Sequence, residues 1–290
     1  MTKVDYGKLK KDCFINQVEK EHFALRIKVV GGQLEAKKLK KVYEIAEEFG
    51  RGYVHMTSRQ SIEIPFISLK DIAAVKKEME TSGLERSLCG PTVRTITACQ
   101  GKKVCTKGLI DTTALAEEFD ERYYSKELPH KFKLGITGCR NNCLKAEEND
   151  LGVKGGVKVN WHDSDCSFCG LCEKACPSKA IEVDKKSKRL TFNEENCINC
   201  GRCVKACPTN AWEGKEGFIL YFGGLFGNKI AIGKQVLPIL FNKEDVHKVV
   251  EATLSFFVKN GKKSERFRNT VDRVGWGLLE NAVNEALQEY

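Results

Sequence analysis

The first 90 residues alternate between strand-like and helix-like spacing of their apolar positions. The predicted elements, in chain order, are a strand over residues 22–30, a helix over 34–49, strands over 52–57 and 61–67, and a helix over 69–81. Gly83 follows the second helix, as is typical of a helix end. The order β-α-β-β-α favours a ferredoxin-like α+β unit whose last strand is missing or hidden.

A second domain is predicted after Gly90-Pro91, where the pattern changes. Its predicted elements are strands over residues 93–98, 131–137 and 218–222, a helix that begins near Asp111, and a helix over 242–260. A cysteine-rich repeat interrupts this domain. We therefore expect an N-terminal unit at residues 1–90, a second domain in two parts at 91–163 and 213–290, and an insert at 164–212.

Fourteen cysteines are the main compositional signal in this chain of 290 residues. No stretch approaches the roughly eighteen apolar residues that a membrane span needs, and the first residues lead into charge instead of an apolar signal segment. We therefore expect a cytoplasmic protein. Because a reducing cytosol disfavours disulfides, so many cysteines indicate metal binding or redox chemistry.

The formal net charge is +9, but the Lys and Arg residues are scattered and form no dense basic run. This distribution disfavours nucleic acid as a partner. Most of these side chains are expected to be solvated, and a minority to face bound anions.

Two cysteine runs, 31 residues apart, have the spacing of bacterial two-cluster ferredoxins. The runs are Cys166-x2-Cys169-x2-Cys172-x3-Cys176-Pro177 and Cys197-x2-Cys200-x2-Cys203-x3-Cys207-Pro208. In such runs three thiolates hold one cluster and the fourth reaches the other cluster. The predicted ligand sets are Cys166, Cys169, Cys172 and Cys207 for one [4Fe-4S] cluster, and Cys197, Cys200, Cys203 and Cys176 for the second.

A zinc ribbon is the alternative interpretation of the Cys-x2-Cys pairs. Zinc needs only four ligands, however, and would leave the third and fourth cysteines of each run unexplained. Two neighbouring clusters make a short path for electrons, so the insert indicates electron transfer without defining a reaction.

Four further cysteines form a different pattern, Cys99-x5-Cys105 followed by Cys139-x3-Cys143. Four thiolates from two loops at strand ends suit another [4Fe-4S] cluster. Zinc, or four buried free thiols, are the alternatives, since cysteine is often a small core residue.

The segments that carry these cysteines resemble the siroheme and [4Fe-4S] signature of the sulfite and nitrite reductase family. The segments are residues 97–105 (TACQGKKVC) and 135–143 (GITGCRNNC). Together with the ferredoxin insert, they make the chain most similar to the catalytic subunit of anaerobic sulfite reductases, over residues 23–275. The resemblance implies that Cys143 also bridges to the siroheme iron as its axial ligand.

The expected fold class is therefore α+β: a ferredoxin-like N-terminal unit plus a siroheme and [4Fe-4S] α/β domain with an inserted bacterial-type 2[4Fe-4S] ferredoxin module. The implied cofactors are siroheme and three [4Fe-4S] clusters.

Cationic side chains are the candidate substrate residues, because a small anion over an electron-rich iron needs fixed cationic donors. Lys131 and Lys133 project from one face of a predicted strand, so their ammonium groups aim at one place. Residues 128–133 (LPHKFK), residues 57–60 (TSRQ) and Arg94 resemble the substrate-binding positions of the family. The resemblance implies that the sulfite site is lined by Arg59, Arg94, Lys131 and Lys133, with the lysines as proton donors. Nitrite-type relatives usually carry Asn where Lys133 stands, which favours sulfite.

Siroheme carries many carboxylates, whose partners should be basic side chains and backbone N–H groups. The candidates are Arg51, Arg140 and Lys145. Cys13 and Cys89 match no ligand position and are expected to be free thiols.

No dinucleotide fingerprint follows a predicted strand, so electrons are expected from a partner protein or subunit that holds a ferredoxin, flavin or iron–sulfur centre. Larger family members contain two copies of the unit, and one copy is found here. We therefore expect a homodimer or a heteromer.

The resemblance implies a siroheme-type sulfite reductase, an oxidoreductase that reduces sulfite to sulfide with six electrons. Electrons would enter at the insert and pass through the cluster of Cys99, Cys105, Cys139 and Cys143. The alternatives are a nitrite reductase with the same cofactors, a non-catalytic iron–sulfur electron-transfer subunit, and a zinc-bearing nucleic-acid binder.

Overall fold

The computed structural model describes residues 5–288, so residues 1–4 and 289–290 of the predicted domain limits lie outside it. Its strands form two four-stranded sheets and one hairpin. Among the described residues, no helix is both long and apolar enough to cross a lipid bilayer.

The N-terminal unit is built on an antiparallel sheet. Its elements, in chain order, are α1 (Tyr6–Lys11), β1 (Phe14–Asn16), β2 (His22–Ile27), α2 (Ala36–Phe49), β3 (His55–Met56), β4 (Ile62–Ser68) and α3 (Ile72–Ser82). The strand order is β1-β2-β4-β3. Alternate residues of β2 are buried and join a core with the apolar faces of α2 and α3. The predicted β-α-β-β-α order is confirmed, and α3 ends at Gly83, whose φ is 64°.

The fourth strand of this sheet is β1, which comes before the predicted β-α-β-β-α elements in the chain and not after them. β1 pairs with one edge of β2, with Phe14 opposite Leu25. Further along that edge Ile27 forms an isolated bridge with Arg86. The place expected for a last strand is therefore shared between β1 and the segment around Arg86. β1 has only three residues, too few to show a period in the sequence.

The second domain and its insert supply the remaining elements. In chain order they are β5 (Thr97–Ala98), α4 (Gly101–Val104), α5 (Thr112–Tyr123), β6 (Leu134–Thr137), β7 (Leu151–Trp161), α6 (Leu171–Ala175), β8 (Ile181–Asp184), β9 (Arg189–Phe192), α7 (Arg202–Ala206), β10 (Trp212–Phe222), α8 (Lys243–Asn260), α9 (Phe267–Val274) and α10 (Trp276–Gln288). The sheet order is β10-β7-β6-β5, in which β5, β6 and β7 run parallel and β10 is antiparallel.

The core of the second domain lies between this sheet and the helices α5, α8, α9 and α10. The rings of Phe132, Phe257 and Phe267 pack at its centre, with centroids between 5.1 and 5.9 Å apart. The predicted start of α5 is confirmed, because the Asp111 carboxylate accepts a hydrogen bond from the N–H of Ala114 at 3.1 Å. The helices α9 and α10 are additions to the predicted set.

Two predicted strands are shorter than expected, since regular pairing begins at Thr97 and Leu134. The residues before them still run side by side. The N–H of Phe132 donates to the carbonyl of Thr92 at 3.0 Å, and the N–H of Arg94 donates to the carbonyl of Phe132 at 2.9 Å. The predicted alternation therefore holds, with Phe132 buried and its neighbouring lysines on the other face.

The cysteine-rich insert emerges between two fully paired strands. β7 and β10 pair along their whole length, from Leu151 opposite Phe222 to Trp161 opposite Trp212. Residues 162–211, which connect them, contain α6, α7 and the β8–β9 hairpin. Apolar side chains of this segment and of β7 form a hydrophobic cluster that is separate from the two main cores.

A close backbone approach joins β7 to the loop after β6. A Cβ atom built on Gly155 would lie 2.3 Å from the carbonyl oxygen of Gly138, the residue before Cys139. No side chain fits there without displacing the loop. The contact therefore fixes the distance between β7 and Cys139.

The substitution Gly155→Ala should lower the free energy of unfolding by about 1–3 kcal/mol, because the added methyl overfills this contact. Gly277→Ala is the matched control, since nothing lies within 4 Å of the position that its added Cβ would occupy. The control should leave stability unchanged or raise it by up to about 1 kcal/mol. Urea unfolding followed by circular dichroism measures both, and equal stability of Gly155→Ala and wild type would contradict the close contact.

Candidate functional site

Two loops at the carboxyl ends of β5 and β6 carry the cysteines outside the insert. β5 and β6 pair in parallel, with Ala98 opposite Ile136, so the residues that follow them lie side by side. The N–H of Gly138 donates to Sγ of Cys99 at 3.0 Å, which joins the two loops. Cys105 and Cys143 are exposed on the protein surface, where a flat cofactor could cover them.

Gln60 of the N-terminal unit holds β5 directly before Cys99. Its side-chain N–H donates to the carbonyl of Ala98 at 2.8 Å, and its side-chain oxygen accepts from the N–H of Ala98 at 2.9 Å. The backbone of Gln60 has φ 60°, which is uncommon outside glycine. The two units therefore meet at the start of the first cysteine loop.

A buried lysine lies beneath the loop between Cys139 and Cys143. Lys154 of β7 is fully buried and forms an ion pair with Glu147, which also accepts a hydrogen bond from the side chain of Asn142. Burial lowers the pKa of Lys154, and the hydrogen bond to Glu147 opposes that shift. The network fixes the loop and places a cation close to Cys139.

Each cysteine set predicted for the insert lines a cavity of its own. One cavity is lined by Cys166, Cys169, Cys172 and Cys207, and the other by Cys176, Cys197, Cys200 and Cys203. The short helices α6 and α7 pack against each other. This packing carries the last cysteine of each run to the loop of the other run.

The chemistry of these cavities fits a bound iron–sulfur cluster. Within residues 5–288, Nε1 of Trp212 is buried in the lining of the first cavity, and its side chain hydrogen-bonds to Cys172. A buried N–H directed at a cysteine sulfur suits a cluster ligand, because the sulfur atoms of a cluster site accept hydrogen bonds. Over the same residues, no three His, Cys, Asp or Glu side chains converge closely enough to hold one metal ion. A cubane takes one thiolate at each of four corners instead.

The four cationic residues predicted from the sequence line a single cavity of about 280 Å³, which we call the anion cavity. They are Arg59, Arg94, Lys131 and Lys133. In the described part of the chain, none of the four forms an ion pair with a carboxylate. Since removing unpaired cations even partly from water is costly, the cavity favours an anionic occupant.

Burial, followed by the charges of neighbouring cations, lowers the pKa values of Arg59, Lys131 and Lys133. Arg59 has a pKa of about 10, chiefly because it is buried. Burial, followed by the charges of Arg59 and Arg266, lowers the pKa of Lys133 to about 8. Burial also lowers the pKa of Lys131. A bound anion would oppose these shifts and hold the lysines in their charged form.

A chain of hydrogen bonds joins the anion cavity to the second cysteine loop. Arg59 donates to the side-chain oxygen of Asn149 at 3.0 Å. The side-chain N–H of Asn149 donates to the carbonyl of Lys145 at 3.2 Å. Lys145 lies two residues after Cys143. The cations and the exposed cysteine therefore belong to one connected site.

Three charged residues of this site carry no sequence motif. Arg26 of β2 lines the anion cavity and pairs with Glu63. Asp150 is fully buried, pairs with Arg266 at 3.0 Å and accepts the N–H of Lys133 at 2.9 Å, while burial raises its pKa. The position of Arg26 in a predicted strand was the one available signal. Asp150 and Arg266 are 116 residues apart and meet only in the fold.

The three candidates for siroheme carboxylates do not share one location. Arg51 pairs with Glu19 at 2.6 Å and stacks 4.0 Å above the ring of Phe66, in the N-terminal unit. Arg140 donates to the hydroxyl of Tyr221 at 2.9 Å, and Lys145 is exposed. Their role stays a prediction.

Two family models match this chain, one over the N-terminal unit and one over the second domain with its insert. Residues 89–290 match the family model described as the nitrite and sulphite reductase 4Fe-4S domain, and residues 15–82 match the nitrite/sulfite reductase ferredoxin-like half domain. The coenzyme F420-dependent sulfite reductase of Methanocaldococcus jannaschii is 33% identical over 261 residues, which are 89% of this chain and 42% of that protein. A subunit of the anaerobic sulfite reductase of Salmonella typhimurium is 35% identical over 171 residues, 54% of this chain and 50% of that one. The chain thus spans half or less of the length of these two relatives.

A crystal structure of dissimilatory sulfite reductase I superposes with a TM-score of 0.72 at 19% identity, over 91% of this chain and 69% of that one. The two proteins therefore share a fold. Together with the family models, which cover both units, the cysteine loops and the cation-lined cavity have one explanation: the chain belongs to the nitrite and sulphite reductase family.

Proposed function

We propose that the protein reduces sulfite to sulfide in a siroheme-dependent reaction of six electrons. The observation that carries the proposal is the anion cavity, which is lined by four cations without carboxylate ion-pair partners in the described residues. One of them, Arg59, connects through the side chain of Asn149 to the loop after Cys143. An oxyanion such as sulfite matches that charge, and a volume of about 280 Å³ leaves room for ordered water. Both relatives described above are named as sulfite reductases.

The proposed cofactors are siroheme and three [4Fe-4S] clusters. Two clusters would be held by the cysteine sets of the insert, and the third by Cys99, Cys105, Cys139 and Cys143, with Cys143 also bridging to siroheme. When bound, these groups would supply electron transfer and the iron at which the anion is reduced. The candidate carboxylate partners of siroheme remain Arg51, Arg140 and Lys145.

The residues of the anion cavity bind, orient and protonate the substrate in this proposal. Arg59 and Arg94 are fixed by hydrogen bonds to Asn149 and to the carbonyl of Leu88, so their cationic faces are preorganised. Lys133, with a pKa of about 8, can give up a proton near neutral pH more readily than an exposed lysine. Lys131 lies beside it in the cavity and supplies a second ammonium group.

Electrons are proposed to enter at the insert and to leave it towards the second cysteine pattern. Cys139 packs against the hydrophobic cluster that contains Cys172 and Cys203, so the two kinds of cluster site adjoin. The donor would be a ferredoxin, or a flavin or iron–sulfur subunit. The single copy of the unit in this chain favours a homodimer or a heteromer.

Anaerobic purification should yield about twelve iron atoms in clusters and one in siroheme, as three cubane sites and one macrocycle require. Cys143→Ser should remove the siroheme absorption band, whereas Cys203→Ser should remove about four irons and leave that band in place. Metal, sulfide and tetrapyrrole analysis measures all three proteins. Wild-type protein that holds clusters but no siroheme would favour a non-catalytic electron-transfer subunit, and zinc in place of iron would exclude both.

The pH dependence should follow Lys133, whose pKa lies near 8. The lysine is cationic below that pH and neutral above it, so kcat/KM for sulfite should fall as pH rises through about 8. Lys133→Met should lower kcat/KM by roughly 10²–10³-fold and abolish this limb, because both the charge and the proton are lost. Lys133→Arg keeps a positive charge that does not titrate near pH 8, so its kcat/KM should also lack this decrease with rising pH. The ionisation of sulfite itself is common to all three proteins and cancels in the comparison of their profiles.

A nitrite reductase with the same cofactors is the second candidate, because the family includes both activities and nitrite, like sulfite, matches the positive charge of the anion cavity. Lys133→Asn should lower the ratio of sulfite to nitrite turnover by about tenfold, since the amide removes one cation and one proton donor. Steady-state rates with each anion and a reduced dye as donor measure the ratio. A wild-type preference for nitrite would replace sulfite as the proposed substrate.

A further inference from the structure

Cys13 and Cys89, the two cysteines outside the three predicted ligand sets, lie against each other in the N-terminal unit. Both adjoin the same edge of β2. The N–H of Arg26 donates to the carbonyl of Cys13 at 3.2 Å, and the N–H of Ser87 donates to the carbonyl of Arg26 at 2.9 Å. Cys13, directly before β1, and Ser87, in the segment before Gly90, therefore pair with the same residue of β2. At that junction the Cys13 thiol donates a hydrogen bond to the carbonyl of Ser87, two residues before Cys89, and each thiol acts on the pKa of the other, as side chains in contact do.

The two thiols have different surroundings. Cys13 is fully buried, whereas Cys89 is partly exposed and lines a cavity of about 730 Å³. This cavity shares Arg26, Arg94 and Lys131 with the anion cavity, so the two spaces adjoin. A small molecule that enters it meets the sulfur of Cys89 beside fixed cations.

The charges around the pair favour a thiolate at Cys89 and a thiol at Cys13. The neighbouring Cys13 thiol, followed by the charges of Arg94 and Arg26, lowers the pKa of Cys89. The hydrogen bond to Cys89 and burial raise the pKa of Cys13. A reachable thiolate paired with a protected thiol is the arrangement of an attacking and a resolving cysteine.

A role in packing alone explains Cys13 but not Cys89. Buried cysteine commonly serves as a small apolar residue, and Cys13 sits in such a position. Cys89 instead borders a cavity with cationic walls, where a small apolar residue gains little. Neither belongs to the cysteine sets that line the insert cavities or follow β5 and β6.

We propose that Cys89 and Cys13 form a dithiol site that exchanges with low-molecular-weight disulfides. The Cys89 thiolate attacks one sulfur of the disulfide, which forms a mixed disulfide and releases the other half as a thiolate. Cys13 then gives up its proton and attacks Sγ of Cys89, which releases the second half as a thiol and leaves a Cys13–Cys89 disulfide. The small disulfide is reduced by two electrons and the cysteine pair is oxidised by two.

The experiment uses full-length holoprotein prepared without oxygen, with oxidised glutathione as the disulfide. After incubation at neutral pH the protein is alkylated with iodoacetamide, digested and examined by mass spectrometry. Wild type should give a peptide pair joined through Cys13 and Cys89. Cys13→Ser should stop at a glutathione adduct on Cys89, and Cys89→Ser should give neither product, because Cys13 cannot reach the cavity.

If a variant fails to fold, measurements on wild-type protein alone still test the proposal. Before oxidation, iodoacetamide should modify Cys89 in the native state and Cys13 only after denaturation. Absence of the Cys13–Cys89 peptide, or native modification of Cys13 ahead of Cys89, overturns the proposal. The site does not depend on sulfite reduction, so protein that lacks siroheme should still form the cross-link, and the two proposals fail separately.

Discussion

The parallel pairing of β5 with β6 is the constraint on which the rest of the site depends. It brings the loop after Ala98 beside the loop after Thr137, and the N–H of Gly138 completes the join at Cys99. A cationic residue of the anion cavity precedes each of these two strands. Arg94 lies before β5, and Lys133 lies before β6. A single pair of strands therefore connects the cation-lined cavity to the loops that begin at Cys99 and Cys139.

Charge balance explains why the anion cavity can exist in a stable fold. Asp150 is buried between Arg266 and the backbone of Lys133, and Glu63 pairs with Arg26 at the rim. These carboxylates offset part of the positive charge and leave four cations without an ion-pair partner in the described chain. Burial, with a smaller contribution from neighbouring positive charges, lowers the pKa values of Arg59 and Lys133. Holding these cations in a partly buried cavity costs stability, a cost that is typical of functional sites.

The sequence alone predicted the parts of the site that local spacing encodes. The cysteine runs gave the two sets that line separate cavities, and alternation around Phe132 placed Lys131 and Lys133 on one face. The short strand β1, the helices α9 and α10, and the pairing of Asp150 with Arg266 were not predicted. Each depends on contacts between distant parts of the chain, and β1 is too short to carry a period. Arg51 illustrates the same limit, since its pairing with Glu19 could not be foreseen from local sequence.

The ladder between β7 and β10 has an evolutionary consequence. Trp161 and Trp212 stand opposite each other, so the two ends of the insert leave the sheet one strand spacing apart, about 4.8 Å. A tight hairpin turn closes the same gap. The module can thus be acquired or lost as a single genetic event while the parent sheet keeps its register. A chain of this fold with a tight turn in place of residues 162–211 would keep the pairing of β7 with β10.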